Sequence, residues 1–231
     1  MELSVGVLII GSLYWREGSR ARWRRKRLWM EREWCVRAPI RYGRLSDSGT
    51  YTMIFAPLSN DQLGRAKVVQ CQRAITCLSD LIVEAEWLWS AEHNSVPRGC
   101  CPIPDHAISA TWGCVALLRN PSRDIPQEIL DGWAQRVAKD KASEGKHLVD
   151  GRGILQIQWP DVADDTGPVQ LDLLLATSNN PKPQKGPYPS VEAIAAAWRA
   201  KGDDYFRNNR AHGIHTFQDQ EIEGRLRQEI T

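Results

Sequence analysis

Val5-Gly-Val-Leu-Ile-Ile-Gly-Ser-Leu-Tyr-Trp15 is the stretch on which the fold turns. Val5 to Ile10 is a short apolar run rich in β-formers, and Gly11-Ser12 stops it, so it reads as a buried strand running into a tight turn. Such a turn frees backbone amides. Glycine allows close approach and unusual dihedrals, so those N–H groups can hold a carboxylate or an oxyanion. The run is too short for a membrane span or for the apolar region of a signal peptide, and no basic segment precedes it. A cytoplasmic protein with no membrane partner is the expectation.

Around this strand lie 231 residues, 42% hydrophobic and 25% charged, the balance of a soluble globular chain able to bury a sizeable core. Cys35, Cys71, Cys77, Cys100, Cys101 and Cys114 show no C-x-x-C spacing, which argues against a disulfide framework or a zinc ribbon. His93, Cys100, Cys101 and His106 are close in sequence, but their spacing matches no closed zinc pattern, so no metal is expected. Gly151-Arg-Gly153 lacks the glycine pattern and the Lys-Ser/Thr ending of a phosphate loop, so no nucleotide site is expected.

Downstream, Val36 to Arg44 and Thr50 to Phe55 read as paired strands joined at Ser46 to Gly49, and Arg65 to Cys71 as another strand. Further strands are expected at Thr111 to Leu118, Gly153 to Trp159 and Leu171 to Ala176, with a helix opening at Ile125-Pro126 and reaching about Ala142. Ser178 to Pro189 contains four prolines and reads as an extended surface linker. Ser190 then caps a helix through Trp198, followed by a polar tail of helical character. The pattern argues for an α+β domain over 1–177, built round a mixed twisted sheet or small β-barrel with flanking helices, and a C-terminal helical extension over 178–231.

The charge is uneven. Residues 1–50 carry a net +6 and the remainder −4, and the basic excess centres on Arg16 to Arg32. There Arg16, Arg20, Arg22, Arg24, Arg25, Lys26, Arg27 and Arg32 interleave with Trp15, Trp23, Trp29 and Trp34. Arginine with tryptophan over 15–34 suits phosphate contact and base stacking, so nucleic acid or an acidic protein is one candidate partner. The plainer alternative is a solvated segment whose tryptophans fold back on the core.

Ser79-Asp80 supplies a helix start, with Ser79 as cap and an acid in the first turn, leading into Leu81 to Glu92. At about 100° per residue, Leu81, Ala85 and Leu88 share one face, flanked by Ile82 and Trp89. Glu92 projects into the middle of that arc, Glu84 lies near its edge, and Glu86 falls on the other side. A carboxylate on an apolar face near the negative end of the helix dipole is a candidate general acid/base.

Strand one with Gly11-Ser12-Leu13-Tyr14-Trp15, the Val36 to Phe55 pair, Gly64 to Val69, and Asp80-Leu81 through Glu92 together resemble the gamma-glutamylcyclotransferase-like superfamily. The resemblance spans roughly residues 5–118. It implies that Gly11, Ser12 and Leu13 form the turn that binds a glutamyl head, with Tyr14 beside them, and that Glu92 is the catalytic carboxylate. Ile10 stands where that family usually has tyrosine. The resemblance implies a small gamma-glutamyl substrate and no cofactor, with arginines such as Arg37 or Arg41 balancing the substrate carboxylate.

Overall fold

The computed structural model describes residues 2–93, 113–139, 147–163, 168–181, 188–202 and 204–227. In chain order the elements are β1 (Val5–Ile9), α1 (Ser19–Arg27), β2 (Leu28–Ala38), β3 (Ile40–Leu45), β4 (Tyr51–Phe55), β5 (Gly64–Cys71), α2 (Leu78–Glu92), β6 (Cys114–Arg119), α3 (Gln127–Lys139), β7 (Leu173–Ser178), α4 (Val191–Lys201), α5 (Asp204–Ala211) and α6 (Asp219–Arg227). Five strands form a mixed sheet in the order β2-β5-β1-β7-β6, and β3 and β4 form a separate two-stranded sheet. The fold is α+β. Among the described residues the strands do not close into a barrel.

β1 is buried along its whole length because both faces of the sheet are covered. Successive side chains point to opposite faces. Val5, Val7 and Ile9 enter one core with Trp23 of α1, Leu81 and Leu88 of α2 and Trp133 of α3. Leu8 and Ile10 enter a second core with Tyr42 and Phe55 of the β3–β4 sheet and Trp198, Phe206 and Ile222 of the last three helices. Trp198 stacks on Phe206 with ring centroids 4.7 Å apart and meets Tyr42 edge-on at 4.8 Å. Burying a large apolar side chain stabilises by roughly 1.5–3 kcal/mol, so α4 to α6 are fastened to the sheet by the same core that holds Leu8.

β1 runs antiparallel to β5, with Val7 opposite Val69, and parallel to β7, with Val5 opposite Leu173. Parallel pairing brings the carboxyl ends of β1 and β7 out at the same rim of the sheet. The Gly11 turn begins at that rim, and α2 ends against it.

Four sequence expectations are corrected. The strand expected from Val36 to Arg44 is cut at Pro39, which has no N–H to donate: Val36 belongs to β2, paired with β5, while Ile40 onward pairs with β4. Gly153 to Trp159 alternates but forms only isolated bridges, Ile154 to Leu117 of β6 and Leu155 to Val149, so its pairing with the sheet edge does not extend into a strand. α2 begins at Leu78, with Cys77 and not Ser79 at its cap; Asp80 Oδ2 accepts from Cys77 N at 3.2 Å and from Thr76 N at 2.9 Å. Lastly, the Arg/Trp stretch is not one solvated segment. Trp23, Arg24 and Arg27 are buried, whereas Arg22, Arg25, Lys26, Trp29 and Arg32 are exposed.

Among the described residues no helix is long and apolar enough to cross a membrane, and no three His, Cys, Asp or Glu side chains gather as a metal site. Cys100, Cys101 and His106 lie outside the described residues, as do residues 182–187 of the proline-rich stretch. Ser190 caps α4 as expected, its hydroxyl accepting from Ala193 N at 3.2 Å.

Candidate functional site

Once β1 ends, the chain turns back at Gly11, whose carbonyl accepts from Tyr14 N at 3.0 Å, and Ser12 O accepts from Arg16 N at 2.9 Å. The turn is held from behind by Arg24, which reaches from α1 to donate to Leu13 O at 2.6 Å and Arg16 O at 3.0 Å. Burial pushes the Arg24 guanidinium below its ordinary range, partly offset by Glu17. The carbonyls of the turn are therefore committed inward. Among the described residues the Ser12 and Leu13 amides donate to no backbone or side-chain acceptor, which leaves them for whatever enters in front.

Glu92, at the last position of α2, faces this turn. One carboxylate oxygen accepts from Arg20 Nη2 of α1 at 3.0 Å, and the other from Thr177 Oγ1 of β7 at 3.0 Å. Its side chain is 9% exposed and that of Arg20 12%. The carboxylate is thus oriented from two sides, with its charge balanced, and water largely kept away.

Gly11, Ser12, Leu13 and Glu92 line one small cavity of about 60 Å³, together with Ile10, Arg20, Arg44, Thr177 and Tyr205. That volume suits a carboxylate-sized head group, not a whole ligand, since ordinary ligand pockets hold roughly 300–1,000 Å³. Arg44, brought in by β3, is buried; burial pushes its guanidinium down, while Asp47 and then Glu92 pull it up. Arg20 is paired with Glu92, and Asp47 and Glu92 both act on Arg44, so the guanidinium groups of this wall have acidic neighbours of their own. A larger hollow of about 700 Å³, bordered by Arg123, Gln158 and Asp161, does not set a buried carboxylate against spare backbone amides.

Tyr205 comes from α5, far along the chain. Its hydroxyl lies over the Gly11 turn, so close that a Cβ on Gly11 would collide with it, and the bare glycine makes room for the phenol. The hydroxyl oxygen accepts from Met53 N at 3.3 Å. Burial pushes this phenol up to about 12, so it stays protonated at neutral pH. α5 is tied to the turn by Trp15 Nε1, which donates to Asn209 Oδ1 at 2.7 Å.

The sequence-derived residues divide accordingly. Gly11, Ser12, Leu13 and Glu92, chosen from a turn and a helix phase, meet at the cavity. Tyr14, Arg37 and Arg41 do not line it. Tyr14 turns its phenol to donate to Glu33 Oε2 and sets its ring edge-on to His212 at 5.6 Å; burial, then Glu33, pushes its hydroxyl well above the ordinary range. Arg37 pairs with Asp161 at 3.4 Å on an exposed surface, and Arg41 lies 4.1 Å over the Tyr188 ring. The cavity's cations are instead Arg20 and Arg44. Sequence reasoning missed them because their relation to Glu92 depends on how α1 and β3 pack, which no local spacing encodes. The same holds for Thr177 and Tyr205.

Comparison of the chain with protein-family models, with curated proteins and with solved structures returned no match.

Proposed function

We propose that the protein is a gamma-glutamylcyclotransferase-like enzyme that cleaves a small gamma-glutamyl amine or amide by intramolecular cyclisation to 5-oxoproline. The observation that carries this reading is the meeting of Glu92 with the spare amides of Ser12 and Leu13 in one largely dry cavity. The free α-amino nitrogen of the glutamyl unit attacks its own γ-carbonyl carbon, forming the ring N–C bond. Glu92 takes a proton from that nitrogen and delivers it to the departing amine as the old C–N bond breaks. The turn amides stabilise the oxyanion that develops on the γ-carbonyl oxygen. Holding nucleophile and carbonyl in one bound molecule supplies the proximity.

The test compares wild type with Glu92→Gln on a panel of gamma-glutamyl amines and amides, following 5-oxoproline by mass spectrometry. Release by wild type and a loss of about a hundredfold or more in the folded variant is expected; equal release from both, or none from wild type, refutes the reading.

A second reading, a non-catalytic module gripping nucleic acid or an acidic partner through residues 15–34, draws on the exposed part of that segment. Arg32 lies 4.2 Å over the Trp29 ring, and Trp29 is the exposed large hydrophobic among the described residues. Its mark is polyanion binding that weakens steeply with salt. A flat salt response eliminates it.

A further inference from the structure

The opposite rim of the sheet carries a recess that the cyclisation does not use. β1 and β2 both run antiparallel to β5, and β7 runs parallel to β1, so the amino ends of β1, β2 and β7 gather at the rim away from the Gly11 turn, beside the carboxyl end of β5. There Trp29, Gln70, Gln72, Arg73 and Asp172 border a hollow of about 350 Å³, within the roughly 300–1,000 Å³ of small-ligand sites. A break in strand pairing frees Trp29 to stand at its edge. Trp29 opposes Gln70, but the next residue back along β5, Val69, is opposed by Glu33, so Met30, Glu31 and Arg32 have no partner on β5 and bulge out. Trp29 is left 37% exposed, with the Arg32 guanidinium 4.2 Å from its ring. The two glutamines are each pinned by one end of the amide. Gln72 Nε2 donates to Leu28 O at 2.9 Å and Arg25 O at 3.2 Å, and Gln70 Oε1 accepts from Arg32 Nη1 at 3.3 Å. Among the described residues Gln72 Oε1 and Gln70 Nε2 take no further partner.

We infer that this recess binds single-stranded nucleic acid, holding one unstacked base against Trp29 while the exposed Arg25, Arg32 and Arg73 meet the flanking phosphates. An aromatic ring backed by a guanidinium suits a base face, and the oriented amides of Gln70 and Gln72 supply a donor and an acceptor for its edge. Glu2 and Asp172, the acids of the lining, keep phosphate out of the hollow itself and offer acceptors to base N–H groups. An acidic peptide would bring carboxylates to that same lining and has no use for the ring. The inference rests on the second reading for Arg25, Trp29 and Arg32, but residues outside 15–34 build the recess, and it leaves Glu92 free for chemistry at the far rim.

Fluorescence anisotropy of labelled single-stranded RNA and DNA octamers of randomised sequence, with labelled polyglutamate and heparin as controls, is measured on wild type, Trp29→Ala, Trp29→Phe and Arg73→Ala. Wild type is expected to bind the octamers with a slope of about −2 in log affinity against log salt, as three phosphate contacts require, and Arg73→Ala to flatten that slope by about 0.7. Trp29→Ala is expected to weaken binding about tenfold with an unchanged circular dichroism spectrum, while Trp29→Phe stays within about threefold of wild type. If octamers bind but Trp29→Ala matches wild type within about twofold, the recess is overturned while the second reading stands. Polyglutamate bound as tightly as the octamers overturns the inference in favour of an acidic peptide. Absence of binding to octamers, polyglutamate and heparin alike removes the second reading and the inference together.

Discussion

α1 and α2 exchange two arginine–glutamate pairs, one at each end of their contact. Arg27 with Glu84, and Arg20 with Glu92, use the same chemistry, similar burial and the same two helices. Arg27 grips Glu84 through two nitrogens, with Nε to Oε2 at 3.0 Å. Glu92 has only one nitrogen of Arg20 on its carboxylate, Thr177 on the other oxygen, and an open cavity in front. Burial holds the Glu84 carboxyl above its usual range against the pull of Arg27, so desolvation is the dominant influence on that pair. A carboxylate closed on every side can only hold the fold together, whereas one with a free approach can exchange a proton with something that comes and goes.

The sharpest way to break this contrast is Glu92→Gln, expected to lower 5-oxoproline release about a hundredfold or more while the thermal midpoint moves less than in the matching Glu84→Gln variant. Removing one partner of the Arg27–Glu84 pair strands a buried guanidinium, so Glu84→Gln is expected to cost roughly 3–5 kcal/mol in denaturant unfolding. The double replacement Arg27→Met with Glu84→Leu should recover most of that loss, because two apolar side chains need no solvation. If Glu84→Gln abolished release without destabilising, the two pairs would have their roles reversed.

A third carboxylate extends the comparison to the C-terminal helices. Asp219, at the first position of α6, is buried; its Oδ1 accepts from Thr216 N at 2.9 Å and Oγ1 at 2.7 Å, but Oδ2 has no partner among the described residues. Burial pushes it up to about 6, against the pull of Thr216 and Arg210, and the Tyr42 hydroxyl faces it. The folded value lies above the unfolded one near 4. The resulting stabilisation is full below about pH 4 and is lost as pH rises through about 6. Between pH 4 and 7, Asp219→Asn is expected to flatten the stability profile by on the order of 2 kcal/mol, read from urea unfolding at each pH. The smallest effect belongs to Arg37→Ala and Arg41→Ala, which stand away from the cavity and should leave kcat/KM within about twofold. A large loss from either would return them to the site.

What the sequence made legible was local. The β1 run followed by glycine, and the phase of Glu92 against Leu81, Ala85 and Leu88, depend only on neighbours within a turn or two, and both lie where the site forms. Glu84 looked marginal on the same wheel, yet it is deeply buried, because α1 covers the edge of that arc. α1 itself was hidden: Ala21 and Trp23 are its apolar anchors, and the inward arginines Arg24 and Arg27 are indistinguishable in sequence from the outward Arg22 and Arg25. Gly153 to Trp159 shows the opposite failure, a strand-like alternation whose pairing with β6 goes no further than a single bridge. Arg44, Thr177 and Tyr205 reach the cavity from three separate elements, and only the tertiary arrangement selects them from the many residues of their kinds.

The parallel pairing of β1 with β7 has a consequence for synthesis. Val5 leaves the ribosome early but meets Leu173, and Ser4 meets Asp172, 168 positions later. At roughly 5–20 residues per second the first strand waits on the order of 10–30 s with one edge unpaired. Throughout that interval its row of valine, leucine and isoleucine is a sticky template for any other extended chain, so a nascent or truncated form ending before residue 173 invites capture by chaperones or aggregation. Cellular yield of such truncations, more than their catalytic rate, is where the late arrival of β7 would first be felt.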